Sequence, residues 1–320
     1  MTRKFMRFIK FDYGGALVVT PSNRYIVIDT GPANRGTRKR LFPIMYYMLA
    51  PFKTVTEIDV IITHWHYSTH TQGLKHLIDG TPFRVNNLYN SGVYSTDREP
   101  DEEWKNEMIN LLDKKGGKEI YVKYGDTIED DDLKIDILSP HATIKQDKHE
   151  PGSYTDNPNS VGAVITRFQY GDFALIHPGD RGGNYTWNTE DNEMEGDPLS
   201  LSLKIAKSDG YNLESTVMHN SHHSTSIAYW PDEMLNIVKP KVAILSHHEN
   251  SDDVHEHLET NYTHYLDEVI NIEGKYNYNE LQGHYKYPIE IKGYKDGSYE
   301  INQLDNLTRP EHPKGSILEF

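Results

Sequence analysis

Val60-Ile61-Ile62-Thr63-His64-Trp65-His66-Tyr67-Ser68-Thr69-His70 is the stretch on which the reading of this chain turns. Its β-branched start predicts a short buried strand over Ile58 to Thr63, and three histidines follow at once. A strand end is rigid and gives its side chains a fixed direction, while the loop beyond leaves room for a ligand. Imidazole binds a metal through one ring nitrogen and can be oriented through the other. His64 and His66 stand two residues apart, so a strand end or tight turn aims both at one ion. Two further apolar runs end the same way. Thr216-Val217-Met218 runs into His219, His222 and His223, and Val242 to Leu245 runs into His247-His248. The isolated pair His247-His248 reads as surface or core, and His177, ahead of Pro178-Gly179-Asp180, is harder to place.

Composition narrows the class. With no cysteine, disulfide staples, thiolate metal sites and cysteine nucleophiles are excluded. The 48 acidic against 33 basic side chains give a net charge of −15, which argues against a broad DNA-coating surface. A bound divalent cation can still reverse the local field at a site. A hydrophobic share of 36% is enough for a sizeable core. The longest apolar stretch, Leu41 to Phe52, is broken by Pro43 and Pro51 and is far short of the roughly 20 residues that span a bilayer. No apolar segment backs the basic start MTRKFMRF, so the expectation is a cytoplasmic protein with no membrane partner.

Outward from the histidines, strands are expected at Phe5–Lys10, Ala16–Thr20 and Tyr25–Asp29, separated by Gly14-Gly15 and Pro21-Ser22-Asn23. Helices are expected at Pro43–Ala50, Glu102–Lys114, Pro231–Val238 and Asp252–Thr260. Further strands are expected at Ile120–Val122, Leu133–Leu138, Val161–Tyr170 and Phe173–His177. Lys295-Asp296-Gly297-Ser298 has hairpin turn chemistry between Pro288–Lys292 and Tyr299–Gln303. This order suits two sheets packed face to face with helices outside better than a doubly wound parallel sheet.

Ile26-Val27-Ile28-Asp29-Thr30-Gly31-Pro32, followed by Ile62-Thr63-His64-Trp65-His66, resembles the opening of the metallo-β-lactamase-fold hydrolases, an apolar-D-T-G turn and then H-x-H-x-D-H. Later segments sharpen the likeness toward the hydrolase domain of ComEC-type DNA-uptake (competence) proteins. Asn157-Pro158-Asn159-Ser160-Val161 is similar to its N-x-x-S strand start, and Leu175-Ile176-His177-Pro178-Gly179-Asp180 to its L-x-x-G-D. Ser221-His222-His223-Ser224-Thr225 is similar to its H-H-G-S. The resemblance covers about residues 5–250 and implies an α/β fold, a four-layer αββα sandwich, with a metal site at one edge. The domain would run over 1–304, with 251–304 as an α+β extension and 305–320 as a weakly structured tail.

Carried over residue by residue, the likeness makes His64 and His66 the first two ligands and Asp180 a carboxylate that often bridges two metals. His222, or its neighbour His223, becomes the late histidine, and Asp180 and His222 are the catalytic candidates. Asp29, Asn159, Ser160 and His223 would stand behind the ligands. The family's D-H pair falls on Ser68-Thr69, a departure. If the loop is one residue longer, His70 takes the histidine's place and Thr71-Gln72-Gly73-Leu74 matches the usual x-G-G-L. In either alignment the carboxylate is missing. The resemblance implies a hydrolase using one or two zinc ions (or manganese) on phosphodiester bonds of a small molecule or nucleic acid. The alternatives are a non-catalytic binding or regulatory protein and an acyl or lactone hydrolase of the same fold. No G-x-S-x-G elbow supports a serine nucleophile, and the acidic run Glu129 to Asp132 reads as a solvated turn.

Overall fold

The structure is a computed structural model and describes residues 3–12, 15–31, 57–92, 94–95, 101–141, 153–154, 162–179, 198–220, 230, 232–246, 268–272 and 289–303. The chain opens with β1 (Phe5–Asp12), β2 (Gly15–Val19), β3 (Tyr25–Thr30) and β4 (Glu57–Ile61). A π-helical turn (Tyr67–Thr71) and α1 (Leu74–Asp79) follow, then β5 (Arg84–Asn90), β6 (Tyr94–Ser95), α2 (Asp101–Lys114) and β7 (Lys118–Tyr121). The second half contains β8 (Thr127–Asp130), β9 (Leu133–Ile137), β10 (Ser153–Tyr154), β11 (Thr166–Tyr170) and β12 (Phe173–His177). It continues with α3 (Pro198–Ser208), β13 (Val217–His219), α4 (Asp232–Val238) and β14 (Val242–Ser246). The last elements are β15 (Glu268–Ile272), β16 (Ile289–Tyr294) and β17 (Tyr299–Gln303).

Two large sheets result, in the orders β17-β16-β1-β2-β3-β4-β5-β7 and β15-β14-β13-β12-β11-β9-β8, with β10 and β6 forming a small pair. Side-chain alternation explains how they stack. Ala16, Val18, Ile26, Ile28 and Ile61 of the first sheet meet Ile135, Phe168, Leu175, Val217 and Ile244 of the second in one core. The opposite face of the first sheet, with Leu17, Val27 and Val60, packs on Leu74, Leu77, Met108 and Leu112 of α1 and α2. The outer face of the second, with Ile176, Met218 and Ala243, packs on Leu199, Leu203, Met234 and Leu235 of α3 and α4. Strands covered on both faces read as continuous apolar runs, as Tyr25–Ile28 does. The fold is therefore the four-layer αββα sandwich that the motifs led us to expect.

Some boundaries move. The strand expected over Val161–Tyr170 begins at Thr166. Ahead of it the backbone bonds to loops, Val164 N–H to the Thr63 carbonyl (2.8 Å) and the Ile165 carbonyl to Leu138 N–H (2.8 Å). The expected C-terminal hairpin forms, and it is joined to the first sheet through Phe5–Lys10 opposite Tyr294–Ile289. The helices expected at Pro43–Ala50 and Asp252–Thr260 and the tail 305–320 lie outside the described residues. Among the described residues no helix is long and apolar enough to cross a membrane.

Candidate metal centre

β3 and β4 run parallel with Ile28 opposite Ile61, so Asp29, just past the last paired residue, lies beside Thr63. Asp29 takes a left-handed backbone (φ 51°), which aspartate tolerates better than most residues. Its Oδ1 accepts the Thr63 N–H (2.8 Å), and its Oδ2 accepts both the Thr63 hydroxyl (2.6 Å) and His70 Nδ1–H (2.8 Å). An ionised carboxylate can only accept, so His70 carries a proton on Nδ1, and in the neutral ring the lone pair is on Nε2. The Thr63 hydroxyl proton is committed to Asp29, so its oxygen accepts from His64 Nδ1 at 3.2 Å. His64 thereby takes the same tautomer. One buried carboxylate sets two imidazoles, the first directly and the second through Thr63.

The segment between the histidines is a π turn. Thr71 N–H donates to the His66 carbonyl (3.3 Å), five residues back, alongside the ordinary His70 bond to the same oxygen (3.0 Å). A π turn holds one residue more than an α turn. That extra residue is the longer loop considered from sequence, and it makes His70 rather than Thr69 the residue that reaches the cluster. The turn is tied down from β3, because the Thr30 hydroxyl donates to the His70 carbonyl (3.0 Å). Gly73 is needed there: a Cβ would lie 2.6 Å from the Thr30 carbonyl oxygen. Trp65 turns away from the cluster into the apolar layer under α1 and α2, and its Nε1–H donates to buried Asn90 Oδ1 (3.1 Å). His64 and His66 are thus left on the other side.

The three rings gather closely, with centroids 4.1 Å apart for His64 and His70, 5.7 Å for His64 and His66, and 6.2 Å for His66 and His70. One nitrogen from each lies within 4.8 Å of the others. His64 and His70 are buried and His66 is half-buried, so solvent reaches the cluster on the His66 side. Three imidazoles with a ring nitrogen each gathered in one place suit a divalent transition metal, and the donor set fits zinc. Among the described residues no carboxylate joins them, since Asp29 is committed to Thr63 and His70.

Asp180, His222, His223, Asn159 and Ser160 lie outside the described residues, as do His247 and His248. The strand leading to Asp180 ends against Thr63, next to His64. Gly179, before Asp180, packs so tightly on Thr63 that a Cβ would lie 2.9 Å from the Thr63 Cβ. His219, grouped in sequence with His222 and His223, instead stacks on His177 across β13 and β12. Sequence reasoning missed Thr63, Thr30 and Asn90 as functional residues. Only an Asp–Thr pairing between two strand ends could have pointed to the first, and nothing local marks the others.

No family profile matches this chain, and no curated protein matches it. Solved structures do. YhfI from Bacillus subtilis, a metallo-β-lactamase fold protein, is 12% identical over 83% of this chain and 95% of its own, with a TM-score of 0.48. Tm1679, described as a metal-dependent hydrolase of the β-lactamase superfamily, is 11% identical over 83% of this chain and 95% of its own, with a TM-score of 0.46. CmlA from Streptomyces venezuelae, a diiron β-hydroxylase, is 11% identical; the match covers 85% of this chain but 53% of CmlA, with a TM-score of 0.46.

Proposed function

We propose that this chain is a zinc-dependent hydrolase of the metallo-β-lactamase type that cleaves phosphodiester bonds in a nucleic acid or nucleotide. The observation that carries the reading is the Asp29 network, which leaves His64 and His70 with Nε2 lone pairs in a tight group with His66. Lone pairs brought together repel unless a cation or a donor lies between them. His64, His66 and His70 would hold the ion, and Asp180 and His222, which follow β12 and β13 in sequence, are the further candidates. When bound, zinc supplies Lewis acidity and lowers the pKa of a water from about 15.7 to roughly 7. The chain's own part is to orient the imidazoles, through Asp29 and Thr63, so that Nε2 of His64 and His70 is the nitrogen left for an ion. Asp180 and His222 are the candidates for handling the protons of the attacking water and the leaving alkoxide. The phosphodiester assignment is supported by the likeness of Asn157–Val161, Leu175–Asp180 and Ser221–Thr225 to the competence-protein hydrolases.

The test is zinc content together with hydrolysis of bis(p-nitrophenyl) phosphate by the wild type, His66→Ala and Asp180→Ala. Wild type is expected to bind zinc and turn over, His66→Ala to lose both, and Asp180→Ala to lose turnover. Full zinc occupancy with no turnover would favour a second reading, a non-catalytic binder, which the missing carboxylate at Ser68-Thr69 supports. Cleavage of carboxylic or lactone esters alone would move the assignment to an acyl hydrolase.

A further inference from the structure

A second pair of imidazoles lies outside the histidine cluster. His177 ends β12 and His219 ends β13, parallel strands in register one residue earlier at Ile176 and Met218. Both side chains are buried, and the rings stack face to face with centroids 4.5 Å apart and planes 4° from parallel. His177 Nδ1 accepts the N–H of Gly179 at 3.3 Å. A backbone amide can only donate, so this nitrogen carries no proton. The bond closes the His177-Pro178-Gly179 turn as an Asx side chain closes its own. Gly179 is left-handed (φ 60°) and seated on Thr63. Thr63 is the residue that relays the Asp29 carboxylate to His64 Nδ1. The second sheet therefore meets the first at the residue that bonds His64.

We propose that His177 and His219 are positioning residues for the metal centre. His177 Nδ1 fixes the turn that seats Gly179 against Thr63, and His219 keeps the His177 ring in place by stacking. The inference rests on reading His64, His66 and His70 as metal ligands. Its two parts separate chemically: position 177 needs an acceptor where Nδ1 lies, whereas the stacking role at position 219 needs a flat ring.

The test titrates the full chain with zinc against a chromophoric chelator and records the absorption spectrum of the cobalt-loaded form, for His177→Asn, His177→Phe, His219→Phe and His219→Ala. Asparagine keeps the acceptor without the ring, and phenylalanine keeps the ring without the acceptor. His177→Asn and His219→Phe are expected within about threefold of wild-type zinc affinity, and His177→Phe and His219→Ala about tenfold or more weaker with shifted cobalt bands, in the range for groups that orient ligands. Circular dichroism identifies any variant that fails to fold, and the pair at the other position then decides. Wild-type affinity and spectra in His177→Phe and His219→Ala, or equal weakening in His177→Asn and His177→Phe, would overturn the proposal. A wild type that binds no zinc, or a His66→Ala that still binds it, would overturn the metal reading instead.

Discussion

Asp29→Asn replaces one oxygen by an amide nitrogen of nearly the same size, so its effects are chemical rather than steric. The carboxylate accepts two hydrogen bonds from Thr63 and one from His70. If the amide oxygen keeps the Thr63 N–H, the new NH2 group faces the Thr63 hydroxyl and His70 Nδ1. It can only donate, so His70 must accept at Nδ1 and move its proton to Nε2, the nitrogen that serves the cluster. The Thr63 hydroxyl proton must turn elsewhere, and His64 Nδ1 is 3.2 Å away to receive it. Both imidazoles then take the tautomer that cannot bind metal through Nε2. Zinc affinity is expected to fall about 10- to 100-fold, the usual cost of losing a group that orients a ligand. Hydrogen bonds to charged groups contribute about 1.5–3 kcal/mol each and neutral ones about 1, so stability without metal should drop by about 1–3 kcal/mol. Calorimetric zinc titration, urea unfolding and nitrogen NMR of the histidine rings measure the three effects. Wild-type zinc affinity in Asp29→Asn, with the His70 proton still on Nδ1, would refute the argument.

Thr63→Val keeps the shape and the N–H bond to Asp29 but removes the hydroxyl, so it should cost about 1.5–3 kcal/mol in urea unfolding. Its zinc affinity should fall about tenfold, with Thr63→Ser restoring both; equal behaviour of the two variants would count against the relay. Gly73→Ala drives a Cβ to 2.6 Å from the Thr30 carbonyl oxygen and should destabilise by about 1–3 kcal/mol, whereas unchanged unfolding would mean the π turn is not clamped there. Lys105 is buried on α2, and desolvation pushes its ammonium below the ordinary value of 10.5, against the pull of Glu119 and Glu102. The unfolded chain then holds this proton more tightly, so the penalty on the fold is full at neutral pH and is relieved as pH rises through the folded value. Lys105→Met should therefore be more stable than wild type at neutral pH and lose that advantage toward pH 10.5; a constant difference across the range would contradict this.

The residues legible in sequence are those whose signal is local. Tyr25–Ile28 and Val60–Ile62 are apolar without interruption because both faces of the first sheet are covered, and the histidines behind β4 stand at a strand end. Trp104, Met108 and Leu112 mark α2 by spacing alone. β5 is hidden because Arg84-Val85-Asn86-Asn87-Leu88-Tyr89-Asn90 reads as polar. Its asparagines are satisfied by distant partners, Asn87 by Asp59 and Asn90 by Trp65 and Glu119. α1 is too short to show a period. α3 does carry one in Leu199, Leu203 and Ala206, which is the spacing of a helix face. At the site, His64, His66, His70 and Asp29 come from motifs, whereas Thr63 acquires its role only because β3 and β4 end side by side. The π turn is the sharpest case. A one-residue expansion looks like a damaged motif in sequence, and in three dimensions it returns an imidazole to the cluster.

X-ray absorption at the zinc edge of the loaded protein tests the central claim most directly, because imidazole rings leave a countable multiple-scattering pattern. At least three imidazoles are predicted at about 2.0–2.1 Å, one fewer in His70→Ala. A first shell of oxygen with no imidazole pattern, or one unchanged by His70→Ala, would contradict the account.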